Sequence, residues 1–281
     1  MYNTIISSKN LKNILEDKDV IIFDCRFNLF DKNLGYKNYL KSHIKNSYYI
    51  NLESDLSSTV NEHTGRHPLQ DILIFSDILN FYGITSNTQI VVYDDENNSI
   101  GARLWWMLKS VGLTKCAVLD GGYKSWQSKE NPISTIIPEN KEKKNNIYTY
   151  DRKYIVDTNE LKNKLKNDLI YLVDARDPER FAGKVEFLDK KAGHIPGAIN
   201  IPFKKNIDQE GKFKSKDELL KIYEHIHNDS QKSIVNMCGS GVTACHNILA
   251  MNYCGLRNSS IYVGSWSAWS SYEDNPVKVG L

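Results

Sequence analysis

The chain is written twice. Val20-Ile21-Ile22-Phe23-Asp24-Cys25-Arg26 and Ile170-Tyr171-Leu172-Val173-Asp174-Ala175-Arg176 are both apolar runs that end in Asp-x-Arg. Ser42-His43-Ile44 parallels Gly193-His194-Ile195, and strand-like stretches follow each, Tyr48-Tyr49-Ile50 and Ala198-Ile199-Asn200-Ile201. Ile90-Val91-Val92-Tyr93 pairs with Ser233-Ile234-Val235-Asn236, and Leu119-Asp120-Gly121-Gly122-Tyr123-Lys124-Ser125-Trp126 with Tyr262-Val263-Gly264-Ser265-Trp266-Ser267-Ala268-Trp269. Self-similarity of this kind means one structural unit built twice. The offset is 150 at Asp24 to Asp174 but 143 from Gly112 to Gly255 and Trp126 to Trp269. The first half therefore carries extra residues, and the turn-rich stretch Ser57 to Gln70, with Thr64-Gly65-Arg66-His67-Pro68, is where they fit.

Two domains follow, residues 1–131 and 153–281, joined by a linker at 132–152 that is rich in Asn, Lys, Glu and Pro and lacks apolar periodicity. A length of 281 residues suits two domains of ordinary size. Within each half, short apolar runs alternate with helical patterns. Ile21–Phe23, Ile90–Tyr93 and Ala117–Leu119 read as buried strands, with a helix over Leu104–Ser110. Ile170–Val173, Ile234–Met237 and Ser260–Val263 repeat the strands, with a helix over Ala244–Asn252 whose Ile248, Leu249 and Tyr253 cover one face. Such alternation predicts an α/β fold in each half, a mainly parallel sheet with helices on both sides.

Composition narrows the function classes. Hydrophobic residues make up 41% and charged residues 25%, which is the balance of a globular protein. Thirty-six Lys and Arg against 34 Asp and Glu leave a net charge of +2, too weak a field to argue for nucleic acid. Lys141-Glu142-Lys143-Lys144 is short and interrupted by an acid, so it reads as linker. Met1 to Lys12 holds no apolar core of signal-peptide length, and no apolar run reaches the ~18 residues of a membrane span. The expected location is cytosolic, with no membrane partner. The five cysteines, Cys25, Cys116, Cys238, Cys245 and Cys254, form no CxxC pair and no disulfide framework, so they read as free thiols and not as a zinc site.

Cys238 stands apart by its setting. Met237-Cys238-Gly239-Ser240-Gly241-Val242-Thr243-Ala244 is a strand end, a cysteine, a glycine-rich loop and a helix start. In a parallel sheet, ligands bind beyond the carboxyl ends of the strands. Glycines at 239 and 241 let the loop turn several N–H groups inward, at the head of a helix, where they would stabilise a thiolate, a persulfide or an anionic substrate. The alternative, a small buried hydrophobe at a strand end, does not account for the Gly-Ser-Gly context. A Walker-type phosphate loop would need Gly-Lys-Ser/Thr, and a Cys-x5-Arg phosphatase would need Arg where this chain has Ala244. Cys245, about two helical turns beyond Cys238, reads as core, as do Cys25, Cys116 and Cys254.

The loop Cys238-Gly239-Ser240-Gly241-Val242-Thr243-Ala244 resembles the active-site loop of 3-mercaptopyruvate sulfurtransferases of the rhodanese superfamily. Thiosulfate-preferring rhodaneses resemble it too, but with two cationic residues at the positions of Gly239 and Ser240. The resemblance covers nearly the whole chain. Asp174-Ala175-Arg176 to Phe181 and Gly193-His194-Ile195-Pro196-Gly197-Ala198 look like the family's first motif. Asp120-Gly121-Gly122-Tyr123 with Trp126 looks like its closing motif, and Arg103-Leu104-Trp105-Trp106-Met107-Leu108 like the helix of the first domain. It implies two rhodanese-like domains, the second of them catalytic. The constant offset of 143 sets Asp95 opposite Cys238, so the first lacks the nucleophile.

The resemblance also implies roles. Cys238 becomes the sulfur carrier, and Gly239, Gly241, Val242 and Thr243 line the substrate. Arg180 holds the substrate carboxylate. A second arginine, frequent in mercaptopyruvate enzymes some residues further on, is replaced here by a stretch containing Lys184, Lys190 and Lys191. Ser240 resembles a loop serine that assists proton transfer with a histidine and an aspartate, and His43 and Asp31 occupy comparable positions. His43 reads either as that relay or as a structural histidine capping a turn, and Arg103 as a substrate contact or a structural ion pair. The expected donor is 3-mercaptopyruvate or, on the same fold, thiosulfate. The expected acceptor is cyanide or a thiol such as thioredoxin, with no metal or organic cofactor. A non-catalytic persulfide carrier is the competing class.

Overall fold

The computed structural model describes residues 1–281 except Glu96, Asn228, Ser230, Arg257, Asn258 and Leu281. The chain divides into two compact units. The first comprises residues 1–58, 70–151 and 209–213, and the second 59–69, 152–208 and 214–281. The stretch expected to be an insertion of the first half is therefore, over 59–69, part of the second unit.

In the first unit five parallel strands lie in the order Ile5–Ile6, Cys116–Leu119, Gln89–Tyr93, Val20–Asp24, Ser47–Tyr49. In the second the order is Ile155–Val156, Ser259–Tyr262, Ser233–Met237, Ile170–Asp174, Ala198–Asn200, the same topology. The inner strand Val20–Asp24 is buried at every position, as the continuous apolar run of a strand covered on both faces requires. The helices Ser99–Ser110 and Thr243–Tyr253 pack on the sheets. Ile6, Leu11, Val91, Leu119 and Trp126 belong to one core, and Leu161, Leu172, Val235, Met237 and Trp266 to the other.

Register fixes the equivalence of the halves. Asp24 pairs with Tyr93, and Asp174 with Met237. Cys25 N donates to Tyr93 O at 2.7 Å, and Ala175 N to Met237 O at 2.8 Å. Cys238 therefore corresponds to Asp94 and not to Asp95, because the offset at this strand is one residue larger than at the closing motif.

Two further expectations change. The stretch 132–151 lies within the first unit. Ile133–Ser134 forms a short antiparallel pair with His43–Ile44. Asn146 N donates to Asn80 Oδ1, Tyr148 hydroxyl to Ile84 O and Tyr150 hydroxyl to Gln70 O, so polar side chains strap it down where apolar periodicity is missing. Helix Thr243–Tyr253 is buried on all sides from Ala244 to Met251, not on one face. Its polar residues find buried partners: Asn206 donates to Asn247 Oδ1 at 2.7 Å and lies 3.2 Å from His246 Nδ1.

Each Asp-x-Arg motif closes on itself at the strand end. Arg176 donates to both Asp174 oxygens and to Gly193 O at 2.8 Å, and its guanidinium lies over the Trp266 ring at 4.7 Å. Arg26 does the same with Asp24, Ser42 O and the Tyr123 ring. Breaking a buried pair from one side strands the other charge. Asp174→Ala is expected to cost about 3–5 kcal/mol on that ground, read as a lower urea midpoint for the second unit. An unchanged midpoint would show that the pair carries no stability.

Candidate active site

Cys238 follows the central strand Ser233–Met237 and is 2% exposed. Gly241 N–H points at its Sγ from 3.1 Å. Cys238 N donates to Ser265 Oγ at 3.1 Å, Trp266 N to Cys238 O at 2.9 Å and Ser267 N to Gly239 O at 2.9 Å, so the closing motif holds the loop's backbone. Gly241 has φ +76°, and a Cβ there would stand 2.5 Å from the Val263 carbonyl oxygen. Only glycine satisfies both constraints. Val242 caps the helix that begins at Thr243, which is half-buried. A sulfur anion in this loop meets a directed N–H donor near the head of a helix, an arrangement that stabilises negative charge.

Gly239 plays a different part from the one expected. Its φ is not positive; what matters is the missing side chain. A Cβ built on it would lie 2.9 Å from Arg66 Nη2 and 3.4 Å from Arg180 Nη1. Arg180, on the short helix Pro178–Phe181, donates from Nη2 to both Glu186 oxygens at 2.7 and 2.9 Å and to Asp189 Oδ2 at 3.0 Å. Arg66 Nη1 donates to Asp189 Oδ1. Burial pushes the Asp189 carboxyl up, against the pull of Arg66 and Arg180. Burial also works to raise Glu186, but the hydrogen bonds from Arg180 and from the Leu188 and Asp189 N–H groups bring it below its ordinary value.

Ser240 Oγ lies 2.8 Å from His67 Nδ1, and both side chains are buried. The histidine beside the loop serine is thus His67, not His43. His43 is wholly buried in the first unit, stacked on Tyr39, with Nδ1 at 2.7 Å from Tyr39 O and Nε2 at 3.1 Å from Ile136 O. Both ring nitrogens are committed to backbone carbonyls, which is a structural role. Asp31 is exposed in the same unit, where it accepts from Asn33 N and lies 3.8 Å from Lys37. Arg103 is buried in the first unit with its guanidinium 5.6 Å from the Trp106 ring, in a protein core and not in the unit that carries Cys238. Of the lysines, Lys190 pairs with Glu62, and Lys191 donates to the carbonyls of Tyr272 and Glu273.

Sequence reasoning missed Arg66 and His67. Their signal was present: adjacent residues in the one stretch that breaks the repeat. The other cysteines sit in cores. Burial pushes the thiols of Cys25 and Cys254 up and that of Cys116 to about 12, and Cys245 Sγ donates to Gly241 O.

The first unit shows what the loop does without a cysteine. Asp94 follows the equivalent strand, and Tyr123 N donates to Asp94 O at 2.9 Å, as Trp266 N does to Cys238 O. The Asp94 carboxylate accepts from the N–H groups of Asn98, Ile100 and Gly101 at 2.7–2.8 Å. The loop's own carboxylate takes N–H groups of the loop and the helix head there.

Comparison with known proteins agrees with this architecture. The rhodanese-like domain family matches residues 7–129 and 157–272. A probable 3-mercaptopyruvate sulfurtransferase of Pseudomonas aeruginosa is 34% identical over 283 residues, covering 98% of each chain. A putative thiosulfate sulfurtransferase of Mycobacterium tuberculosis is 33% identical over 280 residues, covering 98% of this chain and 97% of that one. The structure of 3-mercaptopyruvate sulfurtransferase from Leishmania major superposes with a TM-score of 0.86 at 28% identity, over 98% of this chain and 76% of that chain. With two matched domains and a relative of this similarity over its full length, the chain belongs to the rhodanese family, as a tandem-domain sulfurtransferase.

Proposed function

We propose that the chain transfers sulfur from 3-mercaptopyruvate to a thiophilic acceptor through a persulfide on Cys238. The observation that carries this reading is the Gly241 N–H directed at Cys238 Sγ, at the head of a buried helix and beside a Ser240–His67 pair. The Cys238 thiolate attacks the donor sulfur. The new S–S bond forms as the donor's C–S bond breaks, and that electron pair leaves with the pyruvate enolate. A proton delivered to the enolate carbon gives pyruvate and leaves Cys238 persulfide. Ser240 and His67 are suited to move that proton, since a hydroxyl and an imidazole at 2.8 Å can relay one. The loop N–H groups hold the charge on sulfur before and after transfer. Cyanide or a small thiol then attacks the outer sulfur and regenerates the thiolate; thioredoxin is the protein acceptor of matching chemistry.

Thiosulfate is the second donor to weigh, because two guanidinium groups lie beside Gly239 and favour any anion. Against it, the loop itself carries no cation at Gly239 or Ser240.

Brief incubation with 3-mercaptopyruvate should add about 32 Da, one sulfur atom in the covalent intermediate, to the wild type and nothing to Cys238→Ala. Faster labelling by thiosulfate would reverse the donor assignment, and no labelling by either would remove the case for catalysis. Gly241→Ala should lower thermal stability and slow labelling, because the side chain forces the loop backbone, and with it the Sγ donor, out of place. His67→Gln is expected to lower kcat by about 10²- to 10⁴-fold, the usual worth of a proton-transfer group, whereas His43→Gln should lower thermal stability and leave the activity of the folded protein intact. The reverse pattern would assign the relay to His43.

A further inference from the structure

The stretch that carries His67 forms no helix or strand over residues 59–68. A segment without a backbone ladder keeps its place only through turns, side chains and close backbone contacts. On the reading that His67 works with Ser240 in proton transfer, we propose that His63 is a positioning residue for that pair. Stacked on Tyr272 and hydrogen-bonded to Ser271, it pins the stretch to the second unit and so holds His67 against Ser240.

The contact is built from both sides. The rings of His63 and Tyr272 lie 4.1 Å apart between centroids and 12° from parallel. His63 Nδ1 is 3.1 Å from Ser271 Oγ, and that hydroxyl already donates to Ala268 O at 2.7 Å. A hydroxyl has a single proton to give, so Ser271 accepts and the Nδ1–H of His63 donates. Tyr272 is held in its turn, since Lys191 Nζ donates to its carbonyl and Lys162 Nζ lies 5.5 Å from its ring. Within the stretch, Asn61 Oδ1 accepts from His63 N at 3.1 Å and Thr64 Oγ1 from Asn61 N at 3.0 Å, which closes a turn around His63. Gly65 follows with φ +81°, and a Cβ there would stand 2.6 Å from the Gly264 carbonyl oxygen, so backbone meets backbone at that point. Arg66 alone separates Gly65 from His67.

One short helix, Ser265–Trp269, thereby serves two segments. At its head, Trp266 N holds Cys238 O and Ser267 N holds Gly239 O. Just past its end, Ser271 and Tyr272 hold His63. The cysteine loop and the stretch bearing His67 share a platform, and its length sets where Ser240 and His67 meet. The other ties of the stretch do less for its backbone. Glu62 and Lys190 pair at 3.7 Å with both side chains exposed, an arrangement worth little in water. Arg66 binds Asp189 through a long, flexible side chain, which leaves the backbone more freedom than a stacked imidazole does.

The test follows two half-reactions, sulfur labelling of Cys238 by 3-mercaptopyruvate and release of sulfur from preformed persulfide to cyanide. The variants are His63→Ala, His63→Phe, His67→Gln and the double variant of His63→Ala with His67→Gln. His63→Ala should slow labelling about two- to tenfold, the population shift that one stacked aromatic pair supports. Release to cyanide, which needs no proton relay, should keep its rate, and the thermal midpoint should hold because the His63 side chain is exposed. His63→Phe keeps a ring on Tyr272 and should recover most of the labelling rate. In the His67→Gln background, His63→Ala should add nothing, since a residue that acts through another is not additive with it. Wild-type labelling by His63→Ala, equal slowing of both half-reactions, a His63→Phe no faster than His63→Ala, or further slowing in the double variant overturns the inference. Wild-type labelling by His67→Gln, or no labelling of the wild type, overturns the underlying reading instead.

Discussion

At the carboxyl end of Ile170–Asp174, a buried Asp174–Arg176 pair ties the sheet to residues that position the Cys238 loop. Arg176 reaches Gly193 O, covers the Trp266 ring and lies 3.8 Å from Glu186. Trp266 in turn donates its backbone N–H to Cys238 O, and Glu186 holds Arg180. A buried ion pair is a weak source of net stability, but it is intolerant of displacement, since either charge alone is costly. That intolerance is useful here. It transmits the position of a strand end to a loop backbone and, through Glu186, to an arginine beside the same loop.

The duplicated fold uses this device twice but places a cysteine beyond the central strand only once, at Cys238. Asp24–Arg26 repeats the pair, with Tyr123 in place of Trp266. The loop beyond the equivalent strand is filled by the Asp94 carboxylate, which takes the N–H groups of Asn98, Ile100 and Gly101. Beyond the equivalent strand of the second unit, Gly241 N–H is directed at Cys238 Sγ instead.

The site draws on a stretch outside its own repeat. Residues 59–69 belong to the second unit, and they bring His67 to Ser240 and Arg66 to Asp189. Cys238, Ser240 and Arg180 come from the second repeat. The polar groups around the cysteine thus come from stretches that lie more than a hundred residues apart in the chain.

Much was legible in the sequence, for definite reasons. The doubled Asp-x-Arg strands, the apolar runs with no alternation and the Cys-Gly-Ser-Gly loop before a helix are local patterns, and local patterns determine the parallel sheets, the loop and the place of Cys238. Covalent neighbours cannot say which histidine meets Ser240, and the similarity of Ser42-His43-Ile44 to Gly193-His194-Ile195 pointed to the wrong one. His43 is a repeat residue because both halves need its fold-stabilising bonds to carbonyls: His194 likewise lies 2.8 Å from Phe181 O. Only the tertiary structure decided that the stretch breaking the repeat brings His67 to Ser240 and Arg66 to Asp189. Long-range hydrogen bonds and ion pairs leave no periodicity in the chain, so they become visible only when burial forces each polar group to find its partner.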